Sequence, residues 1–307
     1  MKYISNVNIS QNLPSVITLG NFDGIHLGHR KLINTVKKVG EDMGLQSIIF
    51  SFYPHPQIVL NKGNFPGMIF SRNEKKKRLE EIGIDTYIEH PFTKEFANIS
   101  PEEFVEKILI KELNTKIIVI GTNNKFGKKQ KGDIHFLRER EKQWGISVIE
   151  MTPVLYDNAI VSSTRVREEL LKGNIEKVNE LLEVSYSIIG KIVKGRNLGH
   201  KLGYPTANIL PYKDRIYPPE GVFITRTKYK AKVYNSVTNI GFNPTVNGKV
   251  KNIETHMIDF NKSIYDEEIE VEFHKWIRKE QKFSNLQGLM SQLKLDVNES
   301  KRYFENW

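Results

Sequence analysis

The sequence predicts an α/β domain followed by a β domain: a parallel sheet flanked by helices, then an antiparallel sheet or small barrel with a terminal helix. Three observations carry this. Up to residue 183, short apolar runs alternate with helical patterns. After 183, runs rich in β-branched and aromatic residues are separated by glycine- and asparagine-rich turns, with no long helix between them. The 307 residues suit two domains, placed here at 1–183 and 184–307.

In chain order, residues 16–19, 47–52, 86–89, 116–120 and 147–151 read as the strands of the first domain. Leu32, Ile33, Val36 and Val39 recur at helical steps after the first of them. Ser100-Pro101-Glu102-Glu103 forms a capping box with proline at the first helical position, opening a helix over 104–113. Residues 164–172 and 175–183 are helical, interrupted at Gly173-Asn174. Strands are expected at 187–193, 222–227, 232–238, 254–260 and 268–274, and a last helix from 286 to 304.

Apolar residues make up 39% of the chain and charged residues 27%, an ordinary soluble balance. No run of 18 apolar residues predicts a transmembrane helix, and the first residues lack the charged-then-apolar pattern of a secretion signal. There is no cysteine, which excludes disulfides, thiolate metal sites and cysteine nucleophiles and fits a cytoplasmic protein. The net charge of +10, most of it after residue 183, attracts polyanions, ATP as well as nucleic acid. A nucleic-acid reader would interleave aromatic and basic residues on a sheet. Tyr229-Lys230-Ala231-Lys232-Val233-Tyr234 hints at that but reads as an edge strand, so no nucleic-acid or membrane partner is expected.

The first chemical constellation is Gly20-Asn21-Phe22-Asp23-Gly24-Ile25-His26-Leu27-Gly28-His29, between the first strand and the first helix. Ligands of open α/β sheets bind beyond the carboxyl ends of strands, and a helix N-terminus there offers N–H groups to phosphate. His26 and His29, three residues apart, can face one anion and stabilise charge on phosphorus in transit, while Gly28 admits a close backbone approach. The plain alternative is that both histidines cap or pack the turn. Ser163, Thr164 and Arg167 place two hydroxyls and a guanidinium at a helix start, a grip for triphosphate or an ordinary N-cap. Asn123 offers an amide to adenine, ribose or phosphate, or is a turn asparagine.

These residues resemble the HxGH signature of the nucleotidylyltransferase superfamily, and the whole string looks like the N-terminal module of bacterial FAD synthetases. Phe52-Tyr53-Pro54-His55-Pro56, then Gly121-Thr122-Asn123-Asn124-Lys125-Phe126-Gly127 with Gly132-Asp133, then Ser163-Thr164-Arg165-Val166-Arg167 are similar to further blocks of that family, in its order. The resemblance implies a Rossmann-like nucleotidylyltransferase domain. In it Gly20, Phe22, Asp23, Gly24, His26, Gly28, His29, Asn123, Ser163, Thr164 and Arg167 serve ATP, and Asn124 and Phe126 the flavin. AMP passes to FMN with release of pyrophosphate. Asn124 stands where the family usually has an aromatic residue.

The second constellation runs from Gly195 through Gly199, Lys201 and Gly203 to Pro205, Thr206 and Asn208. Three glycines in nine residues make a loop able to close over a polyphosphate. Thr206 and Asn208 share a face on an extended segment, and their oxygens suit Mg²⁺ held between protein and phosphates. A glycine-rich hairpin of no function is the plain alternative. Pro205-Thr206-Ala207-Asn208 resembles the signature of riboflavin kinase, the C-terminal module of the same bacterial bifunctional riboflavin kinase/FAD synthetase family. Asn239-Ile240-Gly241-Phe242-Asn243-Pro244-Thr245, the strand from Ile253 to Phe260, and Arg278-Lys279-Glu280-Gln281-Lys282-Phe283 are similar to its other blocks. The resemblance implies a riboflavin kinase-like barrel with Glu254 as general base, Thr206 and Asn208 as metal ligands, and Arg278 and Phe283 at the flavin loop. Riboflavin, FMN, FAD and ATP are then substrates or products, with Mg²⁺ required. A single-function descendant and, more distantly, a basic nucleic-acid binder are the alternatives; oligomeric state is not legible.

Overall fold

The computed structural model describes residues 1–5, 12–60, 65–195, 202–245 and 248–305, backbone only at 243–245 and 248–250. By contact the chain divides into two compact units, Met1–Gly67 with Arg72–Ser162, and Met68–Ser71 with Ser163–Trp307.

The first unit carries a six-stranded sheet in the order β1 (Lys2–Ile4), β4 (Thr86–Pro91), β3 (Gln46–Tyr53), β2 (Ser15–Leu19), β5 (Thr115–Gly121), β6 (Ser147–Met151). Every neighbouring pair is parallel. All five residues of β2 are buried, as a strand covered on both faces requires. Its side chains alternate between two cores: Ile17 and Leu19 join Ile48, Phe50 and Ile118, while Val16 joins Ile33, Val36 and Ile49. From β2 the chain passes through α1 (Leu27–Met43) to β3, and it later crosses back to place β5 on the other side of β2. The crevice beyond the carboxyl end of β2 is therefore the switch point where ligands bind in such sheets.

This unit also holds α2 (Pro56–Val59), α3 (Arg72–Ile82), α5 (Ile134–Arg138) and α6 (Glu141–Trp144), with α4 (Pro101–Glu103) leading the predicted 104–113 segment. β7 (Leu155–Tyr156) and β8 (Ala159–Ile160) form a small hairpin. Ser100 caps α4 as expected, its hydroxyl accepting from the Glu103 N–H at 3.0 Å. The continuation differs from the expected α-helix: Phe104–Glu112 is wound as a π-helix, and the Leu113 N–H donates to the Ile108 carbonyl at 3.1 Å. Its apolar residues recur every four positions, Phe104 with Ile108 and Val105 with Leu109, and all four are buried, so the buried face is the one an α-helix would also present.

The second unit contains α7 (Ser163–Lys172), α8 (Ile175–Leu182), β9 (Ser187–Val193), β10 (Ala207–Ile209), β11 (Gly221–Tyr229), β12 (Lys232–Thr245), β13 (Gly248–Met257), β14 (Glu268–Arg278) and α9 (Leu286–Glu305). The strands close a barrel in the order β10-β13-β12-β11-β14-β9, sealed by β9 against β10. Sequence patterning puts the division at 183, where helix gives way to strand, whereas contacts divide the chain at Ser163. The reason is that α8 is bonded into the barrel: Asn179 Nδ2 donates to the Phe273 carbonyl at 2.8 Å, and Asn179 Oδ1 accepts from the Tyr186 N–H at 2.7 Å. The edge-strand reading of Tyr229–Tyr234 is corrected by the structure. Tyr229 pairs with Lys232 across a hairpin turn whose Lys230 has φ 53°, and a closed barrel leaves no edge there.

One face of β11, β12 and β13 carries buried hydroxyls. Thr225 bonds Ser236 at 3.0 Å and Thr238 at 2.8 Å, Thr227 bonds Ser236 at 2.8 Å, and Thr238 bonds Thr255. Each hydroxyl satisfies the next, so these polar groups are buried without an unpaired partner in the ladder. The terminal helix α9 is pinned by an ion pair: Arg278 donates through Nε to Asp296 Oδ1 at 3.0 Å and through Nη2 to Oδ2 at 2.7 Å. The Asp296 side chain is 1% exposed. Removing one member of such a pair strands the other charge. Asp296→Ala should lower the unfolding free energy by roughly 3–5 kcal/mol in urea denaturation; a loss under about 1 kcal/mol, the surface-pair range, would show that α9 is held by its apolar contacts alone.

Candidate functional sites

The turn after β2 takes an unusual backbone path. Phe22, Gly24 and Ile25 lie in the left-handed region at φ 49°, 86° and 42°. A β-branched residue there is a genuine outlier, and such outliers cluster at ligand sites. The path delivers His26 as the N-cap of α1, with its Nδ1 accepting from the His29 N–H at 3.4 Å. In the neutral ring an accepting Nδ1 leaves Nε2 as the donor. The two imidazoles stack with centroids 3.7 Å apart and planes 19° from parallel. Phe22 packs against His29 at 5.2 Å. A Cβ on Gly28 would stand 3.2 Å from the His26 ring, so glycine leaves room for the pair. His26 thus does cap the turn, and the same contact fixes the ring beside its partner at the helix N-terminus.

Beyond the carboxyl ends of β2, β3, β4 and β5 lies a cavity of ≈ 600 Å³. Gly20 and Asn21 line it, as do Phe52, Phe92, Phe96 and Phe126. Phe52 meets Phe92 at 5.4 Å and Phe96 at 5.7 Å, forming an aromatic wall. Lys94, Lys125, Lys128 and Lys129 supply ammonium groups to the same lining. An aromatic slot with cations suits a flat ring that carries an anion. Asn124 lines the cavity and donates from Nδ2 to the Leu19 carbonyl at 2.5 Å, so its amide ties the β5 turn to the end of β2. Asn123 is exposed in that turn, which is closed by the Asn124 N–H on the Gly121 carbonyl at 2.9 Å, and it does not line the cavity. His55 caps α2, accepting from the Gln57 N–H at 3.3 Å, and stacks on Phe65 at 4.5 Å, a structural role. Sequence reading missed Phe92, Lys94 and Phe96, although they directly follow a strand's carboxyl end, where a site is expected.

Ser163, Thr164 and Arg167 open α7, with Arg167 buried. They belong to the second unit by contact, whereas the histidine pair belongs to the first.

In the barrel, strand register assembles a polar row. Asn208 of β10 lies directly opposite Glu254 of β13, which lies opposite Asn239 of β12. Alternation puts this row on the face opposite the hydroxyl ladder. Asn208 is buried, and a Cβ on Gly195 would fall 2.2 Å from its amide. Glycine at 195 is therefore what lets the Asn208 side chain occupy its place. Asn252 Nδ2 donates to Glu254 Oε1 and orients the carboxylate. Thr206 precedes β10 and lines a cavity of ≈ 640 Å³ with Pro205, Ala207, Thr255 and Met257. His256 Nδ1 donates to the Pro205 carbonyl at 2.8 Å, and Tyr204 packs on its ring at 5.3 Å, tying the loop ahead of Thr206 to β13. Burial pushes the His256 pKa down while the Pro205 carbonyl pulls it up, and Nδ1–H donates in either charge state. Gly203 takes φ 79° in open space. Gly199 and Lys201 fall outside the described residues. Arg278, expected at the flavin loop, commits its guanidinium to Asp296; Phe283 is half-buried, 6.0 Å from it.

Among the described residues no helix is long and apolar enough to cross a membrane. The FAD synthetase family matches residues 8–165, and the riboflavin kinase family matches residues 182–304. A bifunctional riboflavin kinase/FMN adenylyltransferase of Buchnera aphidicola subsp. Schizaphis graminum is 37% identical over 95% of each chain. The protein of the same name from Bacillus subtilis is 34% identical, covering 96% of this chain and 94% of that one. A crystal structure described as a macrolide-efflux protein from Streptococcus pneumoniae superposes with TM-score 0.90 at 30% identity, covering 100% of both chains. With both halves matched in order and relatives aligned end to end, this chain belongs to the bifunctional riboflavin kinase/FMN adenylyltransferase family.

Proposed function

We propose that this chain makes FMN and then FAD from riboflavin and ATP at two separate sites, an adenylyltransferase site in residues 1–183 and a kinase site in residues 184–307. The observation that carries the reading is the pair of phosphate-directed constellations in different units: stacked His26 and His29 at a helix N-terminus, and Asn208 opposite Glu254 in the barrel. The two reactions attack different phosphorus atoms, γ in one and α in the other, so each needs its own alignment of nucleophile and leaving group.

At the first site, the N-terminus of α1, His26 and His29 hold the polyphosphate and stabilise charge as the FMN phosphate attacks the α-phosphorus and pyrophosphate leaves. The aromatic cavity takes the isoalloxazine and its lysines the FMN phosphate. Ser163, Thr164 and Arg167 are assigned to the triphosphate, and Asn123 remains accessible for it. At the second site Glu254, oriented by Asn252, accepts the proton of the ribityl 5′-hydroxyl as that oxygen attacks the γ-phosphorus, the bond to the β,γ-bridging oxygen breaks and ADP leaves. Mg²⁺ fits the donors there: a threonine hydroxyl and an asparagine amide are hard oxygens. When bound, Mg²⁺ neutralises developing phosphate charge. The substrates are small and water-soluble, consistent with work in the cytoplasm without a nucleic-acid or membrane partner.

Incubation with riboflavin, ATP and Mg²⁺, followed by chromatography, tests the whole reading. FMN should appear first and FAD after it. FMN that never proceeds to FAD would remove the first assignment, and FAD formed only from added FMN would remove the second. Glu254→Gln should slow riboflavin phosphorylation by about 10²–10⁴ while leaving FAD synthesis from FMN intact. His29→Ala should do the reverse, by about 10²–10³. Equal loss of both activities in either folded variant would refute the division of labour. Gly195→Ala, by displacing Asn208, should cost phosphorylation roughly a hundredfold without affecting adenylylation; an unchanged kinase rate would release Asn208 from the site.

A further inference from the structure

We propose that Lys75 is a positioning residue for adenylyl transfer, its buried ammonium holding the Asn21 carbonyl and thereby the turn that carries His26 and His29. The proposal rests on the adenylyl-transfer reading of that turn.

Lys75 lies on α3 and is 2% exposed. Its Nζ stands 3.4 Å from the Asn21 carbonyl, 3.3 Å from Ser51 Oγ and 3.2 Å from Glu89 Oε1. Ser51 Oγ itself donates to the same Asn21 carbonyl at 3.2 Å. Two donors from different elements therefore converge on one backbone oxygen, that of the residue before Phe22. That peptide leads into the left-handed Phe22, and the Phe22 ring packs on His29, which stacks on His26. Moving the Asn21 carbonyl moves the ring under the histidine pair.

Glu89 does not by itself explain a buried lysine. It already accepts from Tyr3 OH at 2.8 Å, from Tyr87 OH at 2.8 Å and from Arg72 Nε. Burial alone would raise the Glu89 carboxyl; Lys75 first, then Arg72 and the two tyrosines, hold it below the usual carboxylate range. Burial pushes the Lys75 ammonium down, with Glu89 and Asp23 pulling it back up. A desolvated cation is costly unless its hydrogen bonds are used. Of the bonds it makes, those to Ser51 and Asn21 act on the turn, while the one to Glu89 supports the charge.

The rival account is that Lys75 only balances the Glu89 charge. The two are separated by Lys75→Met and by the double variant Lys75→Met with Glu89→Gln, which removes the imbalance but not the lost grip on Asn21. FMN adenylylation, riboflavin phosphorylation and thermal unfolding are measured on the full chain. Lys75→Met should lower kcat for adenylylation about 10–100-fold, more than it alters KM for ATP, with phosphorylation at the wild-type rate. The double variant should remain as slow, whatever its unfolding temperature. Ser51→Ala, which removes the second donor without touching charge, should lower kcat in the same sense. Wild-type kcat in Lys75→Met, or full recovery in the double variant, would overturn the proposal. A wild-type chain that makes no FAD from FMN would instead overturn the reading of the site.

Discussion

The turn between β2 and α1 has to meet two demands at once. It must leave a strand buried on both faces, and within a few residues it must start a helix capped by His26. Phe22, Gly24 and Ile25 meet the geometry by adopting left-handed conformations. Such a path persists only where its surroundings over-determine it. Here Phe22, Asp23, Ile25 and His26 are all buried, and the Asn21 carbonyl is gripped by two side chains. The stacked imidazoles are the outcome of that packing.

The barrel reaches its site by another route. Its constraint is register: Asn208, Glu254 and Asn239 come from three strands distant in sequence and form a row because β10 pairs with β13 and β13 with β12. A one-residue slip in either pairing would turn the row toward the other face. The hydroxyl ladder on that other face opposes a slip, because Thr225, Thr238 and Thr255 would lose their buried partners together. Closing the barrel removes the free edges that would otherwise permit sliding.

Much of this was legible in the residues. The runs at 16–19, 47–52 and 116–120 are β2, β3 and β5 because buried parallel strands need continuous apolar residues. His26, Gly28 and His29 could be placed at a helix start from the sequence, whereas the roles given to Glu254 and Asn208 rest on the resemblance of the strings around them. Other features could not be read. β10 is three residues long and carries no alternation of its own, while β1 is a short edge strand at the chain start. The π winding of Phe104–Glu112 shares its apolar spacing with an α-helix. Arg278 sits in a block that suggests the flavin loop, yet its partner Asp296 lies 18 residues on, in a helix where an aspartate gives no sign of being buried. Phe92 and Phe96 were passed over because two phenylalanines in a loop look like ordinary packing until the strand order places them at the crevice.

The four residues Met68–Ser71 count with the barrel although they precede it by about ninety residues. Met68 exchanges backbone bonds with Asp214 and Ile216, at 2.8 and 2.9 Å, and Phe70 sits fully buried with Tyr186 and Arg215 against its ring. A second unit cut free at residue 163 would thus lose a borrowed β-bridge and a core phenylalanine. It would expose the faces of Tyr186 and Arg215 that they cover. A gene divided at residue 163 would therefore deliver a second unit missing four of its own residues.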